Sequence, residues 1–145
     1  MLIGRQSWRF DTQPVILASA AVGGPFEAQC PLADDFDTFH DDIWLGQDSF
    51  EKAEVKLLEN ACQKALEKSG LRSEDINFLL SGDLDNQITS SSFAARTLTI
   101  PYIGVFGACS TSMEGLAVAS KLLDNGGANY IIAATASHNA AAEKQ

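Results

Sequence analysis

Apolar residues recur at three- and four-residue steps in one long stretch of the chain, which is the spacing of one face of an α-helix. Asp48 precedes this stretch and Gly70 follows it, and both residue types are typical of helix ends. The pattern predicts an amphipathic helix. Its apolar face consists of Phe50, Ala53, Leu57, Leu58, Ala61, Cys62, Ala65 and Leu66.

Short apolar runs without helical periodicity indicate four buried strands. Pro14 opens the first run and Pro101 opens the third, since proline is tolerated at the first position of a strand. Gly107 ends the third run. In chain order the four predicted strands are Val15–Ser19, Ile76–Leu80, Tyr102–Phe106 and Tyr130–Ala134.

Two further helices are predicted between these strands, at Ser90–Leu98 and along a narrow stripe of small and apolar residues from Met113 to Leu123. The resulting order, βαβαβαβ, predicts an α/β fold with a mostly parallel sheet and helices on both faces. Ligands bind such sheets beyond the C-terminal ends of the strands. The candidate binding loops are therefore Ser81–Gln87, Gly107–Ser112 and Thr135–Ala142.

The stretch from Glu27 to Gln47 is acidic and aromatic without a clean period, which predicts a long loop with a helical turn. Its aspartates lack the spacing and the glycine of a calcium loop, so a solvated face is expected rather than a cation site. His40 within this loop is expected to be solvated. No metal site and no cofactor are predicted. The five aspartates are Asp34, Asp35, Asp37, Asp41 and Asp42.

Charge and cysteine usage restrict the partners and the compartment. Ten basic against nineteen acidic residues give a formal charge of −9, which repels nucleic acid and acidic lipid headgroups. Cys30, Cys62 and Cys109 are odd in number and widely spaced, which favours a reducing compartment. No signal peptide or membrane-spanning run is recognisable, so synthesis in the cytoplasm and at most peripheral membrane association are expected. The chain stops at Lys144-Gln145 with no predicted helix or strand to cover the preceding segment, which favours a truncated domain.

Cys109 is the main candidate for chemistry, because it lies among small residues where a strand meets the first turn of a helix. Unpaired amides at a helix N-terminus favour the thiolate, and small neighbours leave room for a reacting acyl group. The alternative is a small buried residue that packs the start of the helix, which is the role expected for Cys62. His138 follows the fourth strand and is the candidate partner or ligand residue at the same edge of the sheet.

The loop after the second strand offers further polar groups. Ser81-Gly82-Asp83 and Asn86-Gln87 could donate or accept hydrogen bonds from a ligand, although turn formation alone also explains these residue types.

A cysteine at the start of the third helix, in a chain with this order of elements, resembles the thiolase and ketoacyl-synthase superfamily. The similarity is to the first of that superfamily's two similar halves, so residues 1–145 are expected to form an N-terminal half-domain. The resemblance implies that Cys109 takes the nucleophile's position, while the histidines and the asparagine that complete catalysis come from the second half. It also implies exposed apolar surface here that a second half or a second chain covers.

Four segments resemble more narrowly the stage V sporulation protein AD family: Gly4–Trp8, Ser81–Gln87, Phe106–Glu114 and Ala134–Gln145. The resemblance implies a protein of spore-forming bacteria that binds dipicolinic acid and helps move it into the developing spore. It also implies a homodimer associated peripherally with the forespore or spore inner membrane, alongside membrane proteins of the same operon. The candidate ligand-binding residues are Cys109, Ser110, Asn86, His138 and Asn139.

Three functions therefore remain open at the level of the sequence. The first is a binding module for a small aromatic dicarboxylate, with donors from the rim loops and the helix N-terminus after Cys109. The second is an acyl-transfer or condensing enzyme in which Cys109 attacks a thioester. The third is a scaffold that keeps a thiolase-like surface for dimerisation and docking.

Overall fold

The computed structural model describes residues 1–142, which contain four helices and seven strands. The helices are α1 Phe50–Ser69, α2 Thr89–Leu98, α3 Thr111–Asp124 and α4 Asn139–Ala142. The strands are β1 Leu2–Ile3, β2 Ser7–Trp8, β3 Val22–Gly23, β4 Thr38–Phe39, β5 Phe78–Asp83, β6 Tyr102–Gly104 and β7 Ile131–Ala136. The predicted α/β class is confirmed.

Helix α1 is the predicted amphipathic helix. Its N-cap is Ser49, whose hydroxyl accepts a hydrogen bond from the Lys52 amide at 3.3 Å, and not the predicted Asp48. Gly70 ends the helix in the left-handed conformation, with φ of 73°, which glycine adopts without a steric penalty. The two other predicted helices are also confirmed, as α2 and α3.

A three-stranded parallel sheet in the order β6-β5-β7 forms the centre of the fold. In it Leu79 pairs with Tyr102 on one side and with Ile132 on the other. The β5-α2-β6 and β6-α3-β7 connections run in opposite directions along the sheet. Because parallel crossovers are right-handed, α2 and α3 lie on opposite faces. Helix α1 packs beside α2, and the predicted helices on both faces are confirmed.

The core lies between α1, α2 and the sheet. Leu58, Leu79 and Ala94 are fully buried there, and Cys62 packs among them as expected. Burial raises the pKa of the Cys62 thiol to about 12, so this cysteine is inert at neutral pH. No helix within residues 1–142 is both long enough and apolar enough to cross a bilayer.

The predicted first strand, Val15–Ser19, is wrong. This run forms no strand, and Val15 is 81% exposed. The physical reason is that no backbone hydrogen bond among the described residues pairs the run with a neighbour. The run instead forms one wall of an open apolar groove of about 450 Å³. Strand β7, which is an edge strand of the sheet, forms the opposite wall.

The predicted bounds of two other strands also need correction. The second strand is β5, which continues through Ser81, Gly82 and Asp83; all three are buried, so only Leu84 onward is loop. The third strand is β6, which ends at Gly104 rather than at Phe106 and is a half-buried edge strand rather than a buried one. A polar residue can occupy the buried end of a strand when its side chain is hydrogen-bonded, and Asp83 accepts three hydrogen bonds.

The long acidic stretch contains the predicted helical turn, in the form of 3-10 turns at Glu27–Gln29 and Ala33–Asp35. Its aspartates are exposed, as expected. His40, however, is not solvated: it is half-buried and its Nε2 lies 2.9 Å from Nδ2 of Asn60 on α1. Trp44 of the stretch stacks on Phe50 at the start of α1, with ring centroids 4.2 Å apart, which keeps the stretch beside the helix that carries Asn60.

Candidate functional site

The turn between β6 and α3 carries Cys109. A single 3-10 turn, Ala108–Ser110, leads directly into the helix, and Cys109 is exposed. Ala108 has a positive φ of 47°, a conformation that costs energy for any residue with a Cβ atom. The predicted position of Cys109 at a strand-to-helix turn is confirmed.

The first turn of α3 presents amides that no side chain caps. The Ser110 hydroxyl instead donates to the Gly107 carbonyl at 2.7 Å and is also in contact with the Glu114 carboxylate. The preceding 3-10 turn occupies the Ser110 and Thr111 amides, which donate to the Gly107 and Ala108 carbonyls, so the partial positive charge of the 14-residue helix is what favours an anion at this end. The arrangement can therefore receive a carboxylate beside the exposed Cys109.

The loop after β5 is held in place by Asp83, which is fully buried. Asp83 Oδ2 accepts hydrogen bonds from the amide and the hydroxyl of Ser91, each at 2.9 Å, and Oδ1 accepts from the Asn86 amide at 3.1 Å. The Leu84 amide donates to the Ala136 carbonyl at 3.2 Å. The side chain of Asp83 thus fixes both the loop and the start of α2, while the exposed Asn86 side chain is left available for a ligand.

Gly82 brings this loop against the cysteine turn. A Cβ atom at Gly82 would overlap the Val105 carbonyl oxygen and lie 3.1 Å from Cγ2 of Thr111. Only glycine allows the end of β5 to approach the start of α3 so closely. Thr111 is itself buried, and its Oγ1 has no partner among the described residues. The two predicted loops therefore share one rim.

His138 lies apart from the thiol. It is buried, its ring stacks on Phe50 at 4.6 Å, and its Nε2 lies 2.6 Å from the Ile43 carbonyl oxygen. Because a carbonyl can only accept, Nε2 carries the hydrogen of this bond. No hydrogen bond within residues 1–142 joins His138 to Cys109. Within residues 1–142 no side chain forms a hydrogen bond with the Cys109 thiol.

The third predicted loop is shorter than expected. Strand β7 continues to Ala136 and α4 begins at Asn139, so only Ser137 and His138 lie between them. Asn139 is exposed at the start of α4. Residues 143–145 of the predicted motif lie outside the described residues.

Glu54 is a buried carboxyl group at this end of the fold that the sequence pattern did not single out. It is fully buried on α1, and neither carboxylate oxygen has a hydrogen-bond partner within the described residues. Burial, together with the negative charges of Asp85 and Asp83, raises its pKa to about 7 despite the nearby Ser90 hydroxyl. The sequence does indicate that Glu54 is buried, because it lies four residues after Phe50 and four before Leu58, on the apolar face of the helix.

Asp85 adds to this buried negative charge. Both of its carboxylate oxygens are shielded from solvent without a partner in the described chain. Burial raises the pKa of Asp85, an effect that the positive potential of His138 partly offsets. Within residues 1–142 no group of three or more metal-ligating side chains is arranged to hold a metal ion.

Comparisons with known proteins agree on one family. The family model described as Stage V sporulation protein AD matches residues 4–145. A curated relative, Stage V sporulation protein AD of Bacillus subtilis strain 168, is 46% identical over 144 residues. The alignment covers 99% of this chain and 43% of the relative, so the chain spans less than half of the relative's length.

Proposed function

This chain belongs to the stage V sporulation protein AD family, and from that premise we propose that it binds dipicolinic acid and assists its uptake into the developing spore. The observation that carries the proposal is the rim formed by the uncapped first turn of α3 and the loop after β5. The positive end of the α3 dipole favours one carboxylate of the ligand. Ser110 and Asn86 are the proposed side-chain donors on this rim, with Cys109 next to Ser110; His138 and Asn139, which follow β7, are the further proposed ligand residues.

The acidic character of the chain is spread over its whole length, so the ligand meets the local potential instead, in which the helix end favours an anion and the Glu114 carboxylate beside Ser110 opposes it. The net charge does affect how the protein can associate with a membrane. A formal charge of −9 repels anionic lipid headgroups, so we propose that peripheral association with the spore inner membrane goes through membrane proteins of the same sporulation operon.

We further propose that residues 1–145 are the N-terminal half of a thiolase-like fold and that the protein is a homodimer. In support, large apolar side chains are exposed on two sides of the described chain: Val15 and Ile16 at the groove beside β7, and Phe106 and Met113 beside the cysteine turn. Exposed patches of this kind mark surfaces that another domain or chain covers.

Calorimetry with dipicolinate on the intact protein tests the binding proposal. We expect saturable heat for the wild type, and at least tenfold weaker binding (about 1.4 kcal/mol or more) when Ser110→Ala, Asn86→Ala and His138→Gln are combined, because the rim then loses side-chain donors. The matched control changes the same residue types away from the rim, as Ser120→Ala, Asn125→Ala and His40→Gln, and should bind like the wild type. Absence of heat, or unchanged affinity of the rim variant, contradicts the proposal.

A second function, acyl transfer, is favoured by the exposure of Cys109 after the left-handed Ala108. In that reaction the Cys109 sulfur forms a bond to the acyl carbon, and the bond from that carbon to the coenzyme A sulfur breaks, releasing the free coenzyme thiol. Incubation with acyl-coenzyme A then leaves an acyl group on Cys109, seen by intact mass and peptide mapping. Buried Cys62 is the internal control and stays unmodified; no adduct at any acyl chain length contradicts acyl transfer.

A further inference from the structure

The buried carboxyl groups beneath the rim form one electrostatic unit. Glu54 on α1 and Asp83 at the end of β5 are both fully buried, and Asp85 of the adjoining loop has both oxygens shielded. Glu51 on α1 also faces Asp85, and His138 after β7 is the one titratable cationic group described as facing the unit. None of the ion pairs within residues 1–142 includes Glu54, Asp83 or Asp85. No lysine or arginine within the described residues therefore neutralises these carboxyl groups by an ion pair.

Only Asp83 in this unit has its oxygens paired with donors. Glu54 and Asp85 make no hydrogen bond of good geometry within the described residues, although the Ser90 hydroxyl and the Leu84 amide lie near Glu54, so burial disfavours their charged forms. The raised pKa values of both groups agree with this geometry, and that of Glu54, about 7, lies near neutral pH. The loop that links the unit to the rim runs directly from Asp83 through Asp85 to Asn86.

We propose that a dicarboxylate binding at this rim is coupled to uptake of a proton by the buried carboxyl unit centred on Glu54. This inference rests on the proposed function. Two negative charges placed next to the unit make its ionised form still less favourable, so the bound state holds more protons than the free state. Binding and protonation are then linked, and the affinity falls as the pH rises.

Calorimetric titration with dipicolinate at pH 6, 7 and 8, in pairs of buffers with different ionisation enthalpies, measures both linked quantities. We expect proton uptake of a fraction of one per ligand at pH 7 and binding about five- to tenfold weaker at pH 8 than at pH 6, because each unit of pKa shift corresponds to a factor of ten. Glu54→Gln should lose most of the uptake and of the pH dependence. Glu59→Gln, on the same helix, is the control and should keep both, because Lys56 pairs with Glu59 outside the unit.

The outcomes separate the two proposals. Absence of heat with the wild type at every pH overturns the proposed function, and this inference with it. Binding without proton uptake overturns this inference alone, as does full uptake by a folded Glu54→Gln variant. The wild-type pH series decides the question even where the variant fails to fold.

Discussion

Replacement of Asp83 by alanine is expected to lower the free energy of unfolding by about 3 kcal/mol, because the buried Ser91 amide loses its acceptor and the Ser91 hydroxyl keeps only the Tyr102 hydroxyl as a partner. The Asn86 amide loses its partner as well, so the loop after β5 becomes mobile. Urea unfolding followed by far-ultraviolet circular dichroism measures the change in free energy.

Asp85→Ala is the matched control for this prediction. It lies two residues away and is also acidic, yet its oxygens have no hydrogen-bond partner in the described chain. We expect its removal to be neutral or stabilising, since a shielded carboxyl group without partners costs free energy. Equal destabilisation by the two variants would contradict the anchoring role of Asp83.

The free energy of unfolding of the wild type is expected to decrease by about 3 kcal/mol as the pH rises from 4.5 to 8. Glu54→Gln is expected to abolish this decrease. The ordinary pKa of the group is 4.5, and burial raises it to about 7 in the folded state. Between these values the folded chain binds more protons than the unfolded chain, so the free energy of unfolding decreases as the pH rises and then levels off above pH 7. Glutamine imitates the protonated form, so the variant should exceed the wild type in stability at pH 8.

Denaturant unfolding of both proteins at half-unit steps from pH 5 to pH 8 gives the two profiles. Glu59→Gln controls for the loss of a glutamate from the same helix and should retain the wild-type slope. The lowered pKa values of Asp37, Asp48 and Asp124 act only at more acidic pH, outside this range. Parallel profiles for the wild type and Glu54→Gln would contradict the burial of an unpartnered carboxyl group.

The helices could be predicted from the sequence because their signals are local. The apolar stripe and Gly70 define α1, and the small-residue stripe defines α3. The strand at Val15–Ser19 could not be judged in this way, since an apolar run becomes a strand only where a neighbour pairs with it. The polar end of β5 was missed for a related reason. Asp83 is buried in the strand because Ser91, eight residues later, supplies its donors.

At the candidate site, the position of Cys109 followed from the sequence, but its surroundings did not. The approach of the two loops depends on the absence of a Cβ atom at Gly82, and one glycine in a turn-rich segment gives no sign of this. His138 is held against Ile43 and Phe50 by contacts distant in sequence. Glu54 had a local signal, its place on the apolar face of α1, which a search for apolar residues alone overlooks.

We propose the rim at the start of α3 as the binding site for dipicolinate. Titration of the ¹⁵N-labelled protein with dipicolinate, followed by amide chemical shifts, tests it most directly. We expect saturable shifts at the amides of residues 109–113 and 84–88, with β1 and β2 unchanged. Shifts confined to the groove between residues 14–20 and β7, or no shifts at saturating ligand, would contradict it.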